Sequence, residues 1–149
     1  MINKLRVRAA SESGFTLVEL LVVMLILGLL AAIAIPSFFN QRDKAKDADA
    51  KEAVRTTQTA IETYATDNGG TYVGATAAKL QAIENTLNDA NVSEPTDLSQ
   101  DGYTVTVVSE NDSPNHTFSI TRNEDGTTDL TCVAPAEDLD GCPEDGNWG

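Results

Sequence analysis

Histidine occurs once in the 149 residues, at position 116, and cysteine only twice, at 132 and 142. That scarcity removes most catalytic chemistry. There is no Gly-x-Ser-x-Gly turn, no glycine-rich phosphate cradle and no His/Cys spacing of the kind a metal site needs. Carboxylates are plentiful enough to supply an acid and a base, but such groups are rarely buried, and a solvated acidic surface is the expected state. The chain is therefore expected not to be an enzyme, with no cofactor and no metal. Basic residues are missing where nucleic acid would need them: after residue 56 only Lys79 and Arg122 stand against seventeen acids, in a chain of net charge −13. Such a field repels nucleic acid and anionic membrane surfaces, and solubility accounts for it. Aromatics are sparse as well. Phe15, Phe38, Phe39, Tyr64 and Tyr72 are too few to argue electron transfer along the helix.

What the chain does have is an apolar run from Phe15 to Ile35. At ~1.5 Å per residue it makes a helix of roughly 30 Å, enough to cross the hydrocarbon core of a bilayer. Glu19 is the one charge inside it. A carboxylate at mid-membrane costs on the order of 3 kcal/mol, so an intramembrane acid is a functional candidate by default. Before the run stand Lys4, Arg6 and Arg8 with Glu12 as the only acid, which predicts a cytoplasmic N-terminus and an exported remainder. Ser11 and Ser13 are placed to help start the helix. A secretory signal peptide shares the basic start, and Ala32-Ile33-Ala34 resembles its cleavage site. Its apolar stretch, however, is about 7–15 residues and has no use for a glutamate. Gly28 weakens the helix locally, and Pro36 lacks an amide donor and crowds the carbonyl of Ala32, so a kink is expected between them.

Gly14-Phe15-Thr16-Leu17-Val18-Glu19-Leu20-Leu21 resembles the cleavage and methylation signal of the type IV pilin superfamily. The resemblance is specific from Gly14 to about Pro36. It implies cleavage after Gly14 by a prepilin peptidase, N-methylation of the new terminus Phe15, an assembly charge pair through Glu19, and a helix break at Gly28 and Pro36. It further implies a structural subunit held in the bacterial inner membrane through residues 15–36, N-terminus cytoplasmic. The pilus assembly machinery there would polymerise it with copies of itself into a helical surface filament. Two rivals share these features, a type II secretion pseudopilin and a low-abundance filament-tip adhesin.

The expected division is a leader over 1–14, a transmembrane and filament-core helix over 15–36, and an exported headpiece over 37–149. In the headpiece, helical spacing persists over 37–67, with a stripe through Phe38, Ala45, Ala48, Ala53, Val54, Thr57, Ile61 and Tyr64. Asp43, Asp47, Lys51, Glu52 and Arg55 form the opposite, polar face. Asn68-Gly69-Gly70 ends the helix. A shorter helix is expected over 75–89, with Leu80, Ile83 and Leu87 at helical spacing. Alternating residues from Tyr103 to about Val133 read as antiparallel strands with a turn at Asn123-Glu124-Asp125-Gly126. The fold class is α+β: a long N-terminal helix packed on an antiparallel sheet of three to four strands, with a C-terminal disulfide loop.

The tail, 134–149, contains Cys142. In an oxidising compartment a Cys132–Cys142 disulfide is the expected state, a two-cysteine metal site being the alternative. The resemblance favours the disulfide and, with it, the pilus over the pseudopilus, whose major subunits generally bind calcium at this end. Asp138, Asp140 and Glu144 cluster near Gly141, but their spacing does not match the twelve-residue calcium loop. Three glycosylation sequons, at Asn91, Asn111 and Asn115, are short enough to be chance matches.

Overall fold

The computed structural model describes residues 14–110, 116–135 and 141–149. Lys4, Arg6 and Arg8, the serines at 11 and 13, the sequons at Asn111 and Asn115, and Asp138 and Asp140 lie outside the described residues. The chain divides into two compact units, the first ending at Ser37 and the second comprising Phe38–Gly149. Helix α1, Leu17–Asp67, carries residues of both.

In the first unit the helix begins where Thr16 caps it. The Oγ1 of Thr16 accepts from the amide of Glu19 at 3.2 Å, satisfying one of the donors that an α-helix leaves open at its start. Thr16-Leu17-Val18-Glu19 has the spacing of a capping box, a signal that the reading of the leader serines missed. The helix then continues through Gly28 and Pro36.

In the second unit α1 buries a seam of Asp47, Ala50, Val54, Thr57, Ile61 and Tyr64, spaced alternately three and four residues apart. This differs from the expected stripe in its lower half. Phe38, Ala45 and Ala48 are exposed, and Asp47, expected on the polar face, is sealed. Between Phe39 and Val54 no large apolar residue fixes the phase of the pattern, and the position of Asp47 is decided by a partner far away in sequence. Thr57 can enter the seam because its hydroxyl donates back to the carbonyl of Ala53 at 2.8 Å. The helix closes at Gly69, φ 74°, where the amide of Gly70 returns to the carbonyl of Ala65 at 2.8 Å.

Over 75–89 the chain forms two short pieces, α2 at Ala77–Ile83 and a 3-10 turn at Asn85–Asp89. Glu84, in extended conformation between them, caps the second piece through its carboxylate, which accepts from the amide and hydroxyl of Thr86. That local hydrogen bonding outcompetes continuation of the helix. Leu80 and Leu87 still reach the core, while Ile83 stays partly exposed.

Three strands follow, β1 (Tyr103–Val108), β2 (Thr117–Arg122) and β3 (Thr128–Val133), antiparallel in the order β1-β2-β3. The register places Val105 opposite Ile120 and Ile120 opposite Leu130; Val107, Phe118 and Cys132 form the next row. These inward rows join Val54, Ile61, Leu80 and Leu87 in one core. Each fully buried side chain of this kind contributes about 1.5–3 kcal/mol of transfer free energy before entropy is counted. The outward rows are hydroxyl-bearing, with Thr104 bonded to Thr121 at 3.0 Å and Thr106 to Ser119 at 2.8 Å.

Both edges of the sheet are covered. Residues 91–96 run along β1, bridging Val92 to Val107 and Thr96 to Thr104, with the amide of Ser93 on the carbonyl of Thr106. This irregular segment occupies the place of a fourth strand. Along β3 the amide of Cys132 donates to Gly146 and that of Trp148 to Leu130. Covered edges offer no template for strand addition.

Candidate functional site

The structure places the residues of the sequence motif at and after the start of α1. Gly14 and Phe15 precede the helix and are exposed, Phe15 to 77%. Glu19 lies exposed in the first turn, where an acid is favoured by the positive end of the helix dipole. From Leu17 to Phe39 the large apolar side chains are about half exposed or more. The most apolar window of this helix has a mean hydropathy of 2.9 and none of it is buried, making α1 long and apolar enough to cross a membrane. Soluble proteins rarely expose so much contiguous apolar surface, and such a surface marks contact with lipid or protein. Gly28 has open space where a Cβ would stand, so no contact among the described residues requires the glycine.

Cys132 and Cys142 form a disulfide, with Cα atoms 5.7 Å apart. It ties the tail beneath β3, where two further contacts hold the C-terminus. The indole Nε1 of Trp148 donates to the carbonyl of Thr131 at 2.8 Å, and its ring meets that of Phe118 edge-on at 6.0 Å. Lys51 lies over both rings, 5.2 Å from Phe118 and 5.8 Å from Trp148, and the guanidinium of Arg55 stands 4.9 Å from the indole. Polar residues on α1 are thus drawn onto aromatic faces, a favourable electrostatic contact. In the sequence these four residues carry no common motif, because they come from three separate segments.

Two polar clusters fix the head, and sequence periodicity signalled neither. Asp47 and His116 meet in the interior, 2.8 Å between Oδ2 and Nδ1. Higher on α1, the carboxylate of Glu62 accepts from the hydroxyls of Tyr72 at 2.8 Å and Tyr103 at 2.9 Å, with Arg122 at 3.4 Å. Burial, then the hydrogen bond to Glu62, push both phenols above their ordinary range. Both clusters join α1 to the sheet side of the head. Among the described residues no group of three or more His, Cys, Asp or Glu is arranged to hold a metal.

An exposed apolar helix with a capped start thus leads into a disulfide-tied antiparallel head. Residues 10–35 match the family described as the prokaryotic N-terminal methylation motif. The chain is 33% identical over 109 residues to a type IV major fimbrial protein FimA of Dichelobacter nodosus, covering 70% of this chain and 68% of that one. It is 34% identical over 92 residues to the type II secretion system core protein G of Pseudomonas aeruginosa, covering 62% of each. To the type IV major pilin protein PilA of Myxococcus xanthus it is 43% identical over 51 residues, 34% of this chain and 23% of that one. The chain thus spans less than two thirds of the length of the Pseudomonas and Myxococcus relatives. No solved structure matches it. The chain belongs to the type IV pilin and type II secretion pseudopilin family.

Proposed function

We propose that this chain is the structural subunit of a type IV pilus. The leader, residues 1–14, is removed after Gly14 by a prepilin peptidase, and Phe15 becomes the methylated N-terminus. Residues 15–36 hold the subunit in the inner membrane with its N-terminus cytoplasmic, until the assembly machinery there polymerises it into a surface filament. The observation that carries this reading is the run from Phe15 to Phe39, whose large apolar side chains stay about half exposed or more among the described residues. The covered sheet edges support it further, since they leave the helix rather than strand addition as the route to a polymer.

A second reading, subunit of a type II secretion pseudopilus, is favoured by the likeness to core protein G over 92 residues. The Cys132–Cys142 loop is the feature that inclines the choice towards a pilus. N-terminal sequencing of the mature protein, with electron microscopy of filaments sheared from the native cell surface, tests both. A terminus at Phe15 in abundant surface filaments is the expected result. A terminus at Ile35, as a conventional signal peptidase would leave, sinks the family of readings, and a Phe15 terminus with loss of protein secretion in place of filaments selects the pseudopilus.

A further inference from the structure

The backbone changes state within two residues of the bond whose cleavage is proposed above. Gly14, Phe15 and Thr16 are not helical, Leu17 opens α1, and the carbonyl of Thr16 accepts from the amide of Leu20 at 3.2 Å, where the helical ladder begins. The hydroxyl oxygen of Thr16 accepts from the amide of Glu19 at 3.2 Å. One residue therefore marks the boundary twice, with its main chain and with its side chain.

The sequence offers another place to start. Ser13 is at least as good a cap by residue type as Thr16, and it stands on the other side of the Gly14–Phe15 bond. A helix capped at Ser13 would take Gly14, Phe15 and Thr16 into its first turn and engage the carbonyl of Gly14 with the amide of Val18. A helix capped at Thr16 leaves that carbonyl outside the ladder. Two features of the sequence favour the later start. Glu19 follows Thr16 at the spacing of a capping box, whereas three residues after Ser13 comes Thr16, not Glu or Gln. Gly14, a poor helix former, also penalises the earlier turn.

Hydrolysis needs the carbonyl carbon of Gly14 open to water. The C–N bond to Phe15 breaks, Gly14 keeps the added oxygen as its carboxyl group, and the nitrogen of Phe15 takes the proton as an amine. A helical turn folds that peptide and ties its carbonyl into the ladder, while chains recognised through their main chain are bound extended. We propose that Thr16 is a positioning residue for leader removal: its hydroxyl holds the first turn beyond the Gly14–Phe15 bond, so that the bond reaches the prepilin peptidase in non-helical chain. The proposal rests on the processing reading above and adds the residue that keeps the bond accessible. Gly14 and Phe15 are both exposed, as such presentation requires.

Cleavage kinetics of the full chain in detergent micelles, with a prepilin peptidase added and initial rates followed over substrate concentration, test the role of Thr16. Thr16→Val keeps the shape of the side chain and removes the acceptor. It should raise KM roughly fivefold and leave kcat within about twofold, because fewer molecules present the bond and those that do react as before. Thr16→Ser, which keeps the hydroxyl, should match the wild type within about twofold. Ser13→Ala added to Thr16→Val should return KM towards the wild-type value, since it removes the rival start. The Cα chemical shift of Phe15 should be extended in the wild type and move towards helical in Thr16→Val, with the Cys132–Cys142 disulfide retained in every variant as the sign of an intact head. Wild-type KM in Thr16→Val overturns the proposal. A loss that Ser13→Ala does not relieve overturns it as well, and makes Thr16 a group that the peptidase reads directly. A wild-type chain left uncut sinks the processing reading and this proposal with it, whereas a cut wild type beside an unaltered Thr16→Val sinks the proposal alone.

Discussion

Oδ2 of Asp47, on α1, lies 2.8 Å from Nδ1 of His116, the residue that leads into β2, and the two side chains are 1% and 0% exposed. Gly141 from the disulfide loop closes over them so tightly that a Cβ there would overlap the carboxylate of Asp47. One polar contact therefore joins helix, sheet and tail. Removing a partner from a buried pair leaves the other without its counterpart, at a cost on the order of 3 kcal/mol. Asp47→Ala should lower stability by about that amount, and Asp47→Asn, which keeps the shape and one hydrogen bond, by less. Trp148, the sole tryptophan, reports urea unfolding of the full chain in detergent micelles. Equal midpoints for the alanine variant and the wild type would mean that the pair contributes nothing.

Much of the fold could be read from periodicity because most of its elements are locally encoded. The alternation of Tyr103, Val105 and Val107 gives a strand wherever it is placed, and Asn68-Gly69-Gly70 ends a helix by backbone geometry alone. Asp47 was misplaced for the opposite reason: its burial depends on a residue 69 positions away, which no spacing rule detects. The same holds for Glu62, whose two tyrosines lie in a loop and a strand. The motif from Gly14 to Glu19 was legible because its chemistry is contiguous, although the capping role of Thr16 within it emerged only with the helix boundary.

The Glu62 cluster predicts alkaline sensitivity. Tyr103 and Tyr72 have phenols raised by burial and by the hydrogen bond to Glu62. A phenol whose folded pKa exceeds its unfolded value of about 10 contributes its stability in full below that pH. The contribution drains as pH rises, because the unfolded chain gives up its proton first. The urea midpoint should therefore hold up to about pH 9 and fall as the pH rises past about 10, and Tyr103→Phe should flatten that fall at some cost in stability at the lower pH. A variant that loses stability as steeply as the wild type would remove Tyr103 as the cause.

The disulfide should matter beyond its own loop. The tail it anchors supplies the carbonyl of Gly146 to Cys132 and places Trp148 on Phe118. Cys132→Ser should cost about 2–5 kcal/mol, the usual range for small exported domains. It should also shift Trp148 emission to longer wavelength as the indole leaves Phe118 and Lys51. Protein isolated under non-reducing conditions with both thiols free, or a variant with unchanged emission and midpoint, would contradict this.

Glu19 has two competing explanations, and one substitution separates them. Thr16-Leu17-Val18-Glu19 has the spacing of a capping box, in which a glutamine serves as well as a glutamate, and Thr16 makes its half of the hydrogen bonding. If Glu19 acts only at the helix start, Glu19→Gln should assemble normally and Glu19→Ala should cost little more than a weakened cap. The filament reading demands more. After cleavage the amine of Phe15 is a positive charge at the head of an apolar helix, and it must enter a filament core with little water, where an uncompensated charge is strongly destabilising. A carboxylate one turn along the helix can neutralise that amine in its own chain or in a neighbouring one, and either pairing supplies a register that a uniformly apolar helix lacks. On this account Gln fails nearly as badly as Ala, because it keeps the cap and loses the charge. Filaments should fall roughly tenfold or more in both variants, while export, the Phe15 terminus and the disulfide-tied head persist. Comparing sheared-filament yield with the amount of processed subunit in the membrane makes the distinction. Wild-type yield from Glu19→Gln would reduce Glu19 to a cap, and uncleaved protein in either variant would make it a recognition element for the peptidase.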